Sequence, residues 1–204
     1  MHAYTHRDRL NGGWGVVEVN EAAEAISQLG ALGLIDEKRC AIRGGSAGGF
    51  TTLSALTTFP DAFAAGAASY GLSDLRRIQV IAHKFESHNI ETLVGEPLDS
   101  NPQLWADRSP ITKAKNIRAP LMVCVDLSLF RILTYVAQIL QGSDDPVVPP
   151  TQAEIMVETV REQGGRVDYV VLEGEGHGWR KAENIAKALN AELGFFQDVL
   201  VGKE

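Results

Sequence analysis

The sequence predicts an α/β fold in which a mostly parallel sheet carries helices on both faces. Three observations predict it. Strand-like and helix-like runs alternate along the 204 residues, the pattern that sets parallel strands side by side with crossover helices covering them. A glycine-rich turn, Gly44-Gly45-Ser46-Ala47-Gly48, lies directly between a strand-like run and a helix-like run. Two polar loops further on, each after a strand-like run, carry Asp144 and Asp145 and then His177; loops at the carboxyl edge of such a sheet converge.

Taken in order, helices are predicted near 16–29, 47–59, 73–85, 151–163 and 181–200. Strands are predicted near 39–45, 63–70, 119–124 together with 139–141, and 167–172. Val19, Ala22, Ile26 and Leu29 recur at helical spacing in the first helix. Arg39-Cys40-Ala41-Ile42-Arg43 reads as a short strand, and the run from Gly49 to Leu56 reads as a helix ended by Pro60. Val167-Asp168-Tyr169-Val170-Val171-Leu172 reads as the last strand. In the last helix Ile185, Leu189, Leu193, Phe196 and Leu200 return at helical spacing.

The turn at 44–48 spells G-x-S-x-G, the pattern of a nucleophile elbow. A serine there is forced into a strained backbone, and glycines two residues before and two after let strand and helix approach while the hydroxyl is exposed. A serine hydroxyl is a weak nucleophile at neutral pH and needs a base, itself oriented by a carboxylate. The chain supplies both in the order Ser, Asp, His. Ser46 is the candidate nucleophile, Asp144 and Asp145 in Gln141-Gly142-Ser143-Asp144-Asp145-Pro146 are the candidate acids, and His177, flanked by Gly176 and Gly178, is the candidate base.

These residues, with several other stretches, resemble the catalytic domain of the prolyl oligopeptidase family, nearest to its acylaminoacyl-peptidase and dipeptidyl-aminopeptidase branch. The stretches that carry the resemblance are Arg9 to Gly15, Ile42 to Phe50, His83 to Ser87, Arg108 to Ile111, Gln141 to Pro150, and Glu173 to Gly178. It implies an α/β-hydrolase fold, of which this chain is the carboxyl-terminal half of the sheet, lacking the first strands and any β-propeller. It also implies Ser46 as nucleophile and His177 as general base. The family's acid lies three residues after the glycine, which selects Asp145 over Asp144. The Ala47 N–H, at the start of the helix after the elbow, is the implied oxyanion donor. A second donor in the family is a tyrosine in a motif that would precede Tyr4, and losing one such donor costs roughly 100- to 1,000-fold in turnover.

The implied activity is a serine-type peptidase acting on oligopeptides through an acyl-enzyme. Two alternatives fit the same residues: a carboxylesterase-like hydrolase, and an inactive shortened domain serving as an interaction module. The strand edge beside Ser46, left without neighbours, points to lower stability and to a self-associating homo-oligomer.

The third strand is interrupted by sixteen residues, Val123 to Gln138. Without them Pro120-Leu121-Met122 joins Ile139-Leu140-Gln141-Gly142 as one strand leading into Asp145. The segment is a whole number of codons, opens with a valine that GT begins and closes with a glutamine that CAG encodes, so it reads as a retained short intron or gene-model error. A family-specific helix is the other reading.

Composition excludes several classes. With 45% hydrophobic and 22% charged residues the chain can bury a single core. A net charge of −7 argues against a nucleic-acid partner. The most apolar run, Leu121 to Leu140, is interrupted by Asp126 and Arg131, so no membrane span is expected. The first nine residues hold no apolar signal core. Cys40 and Cys124 read as buried thiols, which fits a cytoplasmic location. His83 and His88 find no third closely spaced ligand, so no metal or cofactor is expected, and the stretch His83-Lys84-Phe85-Glu86 is placed along the cleft or in the packing of the segment between two strands. Trp14, Trp105 and Trp179 read as packing residues.

Overall fold

The computed structural model describes residues 8–81, 84–117, 137–165 and 167–201. Helix α1 (Val17–Ala31) leads through a 3₁₀ turn, Glu37–Arg39, into β1 (Ala41–Gly45). Helix α2 (Ala47–Thr58) follows and returns the chain to β2 (Ala65–Ser69). Three helices come next, α3 (Leu75–Ile81), α4 (Lys84–Val94) and α5 (Pro102–Arg108), with a 3₁₀ stretch Pro110–Asn116. Then β3 (Ala137–Gly142), α6 (Pro150–Glu162), β4 (Val167–Leu172) and α7 (Ala182–Phe196) complete the described chain.

The four strands among the described residues are all parallel, in the order β1-β2-β3-β4. The register sets Ile42 beside Gly66, Gly66 beside Ala137 and Ala137 beside Val167. Because side chains alternate along a strand, Ile42, Ala68, Ile139 and Tyr169 share one face, where Val19, Leu53, Leu56, Met156 and Val160 from α1, α2 and α6 pack over them. The opposite face carries Arg43, Gln138, Leu140 and Val170. Helix α7 covers it, with Arg43 paired to Glu192 at 2.8 Å and Gln138 donating to Ala191 O at 3.1 Å. A second apolar cluster, with Trp14, Phe50, Leu75, Trp105 and Val148, caps the carboxyl edge of the sheet.

The predicted elements recur with informative differences. The helix expected near 73–85 is two segments, α3 and α4, and α4 runs on to Val94, where Gly95 at φ 108° turns the chain. Helix α5 was not anticipated. It is seven residues long, too short to display a period, and is set by Asn101, whose side chain accepts the Leu104 N–H at 3.1 Å, and by Pro102 at its first position. The last helix is regular to Phe196 and widens into a π turn over Gln197–Val201.

Helical spacing did not fix which residues face inward. Leu29 is 40% exposed, and Ile185, Leu189 and Leu193 are 39%, 57% and 56% exposed, while Asn184, Ala188, Glu192 and Phe195 form the buried side of α7. Cys40 is half-buried rather than in the core, its thiol donating to Asp36 O at 3.3 Å. Burial, with the nearby Asp36 and Glu37 carboxylates, pushes this thiol up from its ordinary value. Trp14 and Trp105 are packing residues as expected: Trp14 lies 4.5 Å from Phe50, and the fully buried Trp105 donates its indole N–H to Glu96 O.

Of the sixteen-residue stretch, Ala137 and Gln138 begin β3, and the rest lies outside the described residues, as do the strand expected at 119–124, Cys124 and His83. The stretches Arg9–Gly15 and Arg108–Ile111 meet, because Arg108 donates to the carbonyls of Gly12 and Trp14.

Candidate active site

Ser46 stands between β1 and α2 at φ 54°, ψ −119°, a strained backbone for a residue with a side chain. Two bonds hold it there. Its N–H donates to Ser69 O at 3.0 Å and its carbonyl accepts the Phe50 N–H at 3.0 Å, so the elbow is clamped by β2 on one side and by the first turn of α2 on the other. The flanking glycines divide the work unequally. A Cβ on Gly44 would run into the Gly48 backbone, whereas a Cβ on Gly48 would meet nothing within 4 Å. Close approach of strand and helix therefore demands the glycine before the serine, not both.

Asp145 and His177 come from the loops after β3 and β4. His177 Nε2 lies 2.8 Å from Ser46 Oγ, and Nδ1 lies 2.9 Å from Asp145 Oδ2. The contacts fit a tautomer with the proton on Nδ1, donated to the carboxylate, and Nε2 accepting from the hydroxyl. The other carboxylate oxygen accepts the N–H groups of Val147 and Val148, both at 2.9 Å, and the Gln141 amide donates to Oδ2 at 3.3 Å. The Asp145 side chain is wholly buried and that of His177 is 23% exposed, so the hydrogen-bonded line runs from a dry carboxylate to the Ser46 hydroxyl. Asp144 is exposed and accepts instead from Ser143 Oγ at 2.9 Å.

The two loops are stitched together. Ser143 N–H donates to Leu172 O, Asp144 N–H to Glu175 O, and Gly174 N–H to Ser143 Oγ. Glu175, 2% exposed, accepts the N–H groups of Arg180 and Lys181 and the Asn184 amide, tying the His177 loop to the start of α7. Burial would raise its carboxyl, but these donors and the Lys181 charge outweigh it and hold the group below its ordinary value. Behind the β2 loop, the buried Gln152 accepts from the N–H groups of Ser73 and Asp74, which fixes that loop against α6. Sequence reasoning missed Gln141, Glu175 and Gln152, and also Tyr70, whose ring lies 4.8 Å from the His177 imidazole. Glu175 stands in the glycine-bounded run around His177, but nothing in its spacing distinguishes a buried anchor from a solvated loop carboxylate.

Ala47, the first residue of α2, is exposed beside Ser46, and the first N–H groups of a helix have no partner within it. Together the three side chains and this helix end form an arrangement able to activate a hydroxyl and to receive a negatively charged oxygen.

The family model of the prolyl oligopeptidase family matches residues 3–203. The chain is 31% identical over 198 residues to dipeptidyl aminopeptidase BIII of Pseudoxanthomonas mexicana, covering 95% of this chain and 26% of that protein. It is 28% identical to dipeptidyl peptidase family member 6 of Caenorhabditis elegans, with 95% and 25% covered. Among solved structures, a puromycin-hydrolyzing peptidase of Mycobacterium tuberculosis superposes with a TM-score of 0.82 at 38% identity, over 95% of this chain and 27% of that one. The chain thus spans about a quarter of the length of the relatives it matches.

Proposed function

The chain belongs to the prolyl oligopeptidase family, and we propose that it carries the hydrolytic centre of a serine-type peptidase acting on short peptides. The observation that supports this most is the unbroken hydrogen-bonded line from buried Asp145 through His177 to the strained Ser46.

In this reading His177 Nε2 takes the Ser46 proton as Oγ attacks the carbonyl carbon of the scissile amide. Asp145 holds the imidazole in the tautomer that leaves Nε2 free and stabilises the imidazolium that forms. The carbonyl oxygen becomes an oxyanion beside the Ala47 N–H, where the amino end of α2 adds its dipole. His177 then protonates the leaving amine, the C–N bond breaks, and an acyl group remains on Ser46. Water attacks that ester, giving its proton to His177, and the acid product leaves as Oγ recovers its proton.

Dipeptidyl amides and puromycin are the substrates to offer first, since the similar proteins are named for acting on them. The test is steady-state hydrolysis of a dipeptidyl amide beside the matched ester, with Ser46→Ala as control. The peptidase reading expects Ser46-dependent cleavage of the amide. Cleavage of the ester alone would replace it with an esterase, and cleavage of neither would favour an interaction module.

A further inference from the structure

Tyr70 is the first residue after β2 and has φ 40°, a region open to glycine and costly for a bulky side chain. Its N–H donates to Leu140 O at 2.7 Å, so β3 holds the strained conformation in place. The consequence is where the ring points. It lies 4.8 Å from the His177 imidazole at an interplanar angle of 66°, and 4.9 Å from the Trp179 indole at 84°. On its other flank the phenol rests against the elbow: a Cβ added to Gly45 would fall 2.7 Å from Tyr70 Oη. One side chain therefore spans the backbone just before Ser46 and the ring that meets Ser46.

His177 needs such a support. Its neighbours are Gly176 and Gly178, the latter at φ 105°, so the backbone around it is lightly restrained. The bond to Asp145 fixes one ring nitrogen and leaves the imidazole free to tilt about that contact. A tilt would swing Nε2 away from Oγ. An aromatic ring packed edge against face blocks the tilt, and such pairs prefer the separations seen here.

We propose that Tyr70 is a positioning residue that keeps the His177 imidazole aligned on Ser46, and that it acts through its aromatic ring rather than its hydroxyl. Among the described residues the phenol oxygen makes no hydrogen bond, whereas the ring makes two aromatic contacts. The proposal rests on the hydrolase reading above for its catalytic consequence, but the packing itself can be read without turnover.

The experiment compares the parent chain with Tyr70→Phe, Tyr70→Leu and Tyr70→Met, each checked for its melting temperature. In uninhibited protein the His177 ring-proton resonance, assigned by its loss in His177→Gln, reports the neighbouring ring current. It is expected to stay in place in Tyr70→Phe and to move in the two aliphatic variants. The second-order rate of fluorophosphonate labelling is expected within about twofold of the parent in Tyr70→Phe and about tenfold or more lower in the aliphatic variants, since small misplacements of a reacting group are costly. Aliphatic variants with the parent's rate or an unmoved resonance would overturn the proposal. A Tyr70→Phe variant as slow as Tyr70→Leu would also overturn it, by transferring the role to the hydroxyl. A parent chain that does not label counts against the hydrolase reading, while an unmoved resonance in the aliphatic variants still overturns the ring contact on which the proposal stands.

Discussion

The two faces of the sheet are built differently. On one, α1, α2 and α6 bury a continuous apolar cluster in which Leu53, Leu56, Met156 and Val160 are at most 2% exposed. On the other, α7 buries Glu192 against Arg43 and Asn184 against Glu173 and Glu175, and turns Ile185, Leu189 and Leu193 outward. A groove lined by Gly45, Tyr70, Leu140, Trp179 and Leu189 is left between α7 and the carboxyl ends of β1, β2 and β3. The contrast separates two tasks. The elbow that carries Ser46 leans on the packed face through α2, whereas His177 is carried by a loop held largely by hydrogen bonds and by Tyr70. Packing holds Ser46, and mainly polar stitching holds the loop of His177.

The sharpest way to break this comparison is in the packed face. Met156→Ala removes a fully buried side chain and is expected to cost about 2–5 kcal/mol in denaturant unfolding. Gly44→Ala should act at the elbow, lowering fluorophosphonate labelling by roughly 100-fold because strand and helix are forced apart, while Gly48→Ala should label near the parent's rate. Equal effects of the two substitutions would contradict the unequal roles assigned to these glycines.

On the polar side, Glu175→Gln should slow labelling by roughly tenfold through a loosened His177 loop, with less effect on unfolding than Met156→Ala. Its pH dependence has a definite direction. The folded-state carboxyl is held below its ordinary value, so the stability it contributes is present at neutral pH and is lost as pH falls through that lowered value. Glu175→Gln should therefore flatten the acid side of the stability profile, which thermal unfolding between neutral and acid pH would reveal. The smallest effect belongs to the exposed side of α7. Leu189→Ser should change unfolding by about 0.5 kcal/mol or less.

How much of this was legible follows from the range over which each signal acts. The strands β1, β2 and β4 and the longer helices are local patterns, and they lie within a few residues of where the sequence puts them. Ser46 was legible because it stands in a glycine-rich turn between a strand and a helix, where close approach demands Gly44. The choice between Asp144 and Asp145 was not contained in the two residues and came from a resemblance. In the structure Asp145 meets His177 and is held by the backbone N–H groups of Val147 and Val148, while Asp144 accepts from Ser143. Tyr70 was not legible because its partners, Leu140 O and the His177 and Trp179 rings, are brought to it by parallel pairing across the sheet, whereas Gln141 and Glu175 bond within nine residues, in loop geometry that no sequence period displays. Helical spacing located α7 but misjudged its buried side, since Arg43 beneath it pairs with Glu192 and the His177 loop pairs with Asn184.

The central claim is that Ser46, His177 and Asp145 form a working relay, and fluorophosphonate labelling mapped by mass spectrometry tests it most directly. The account predicts a single adduct on Ser46, absent in Ser46→Ala and strongly reduced in His177→Ala. Labelling unaffected by His177→Ala, or no labelling of folded parent protein, would contradict it.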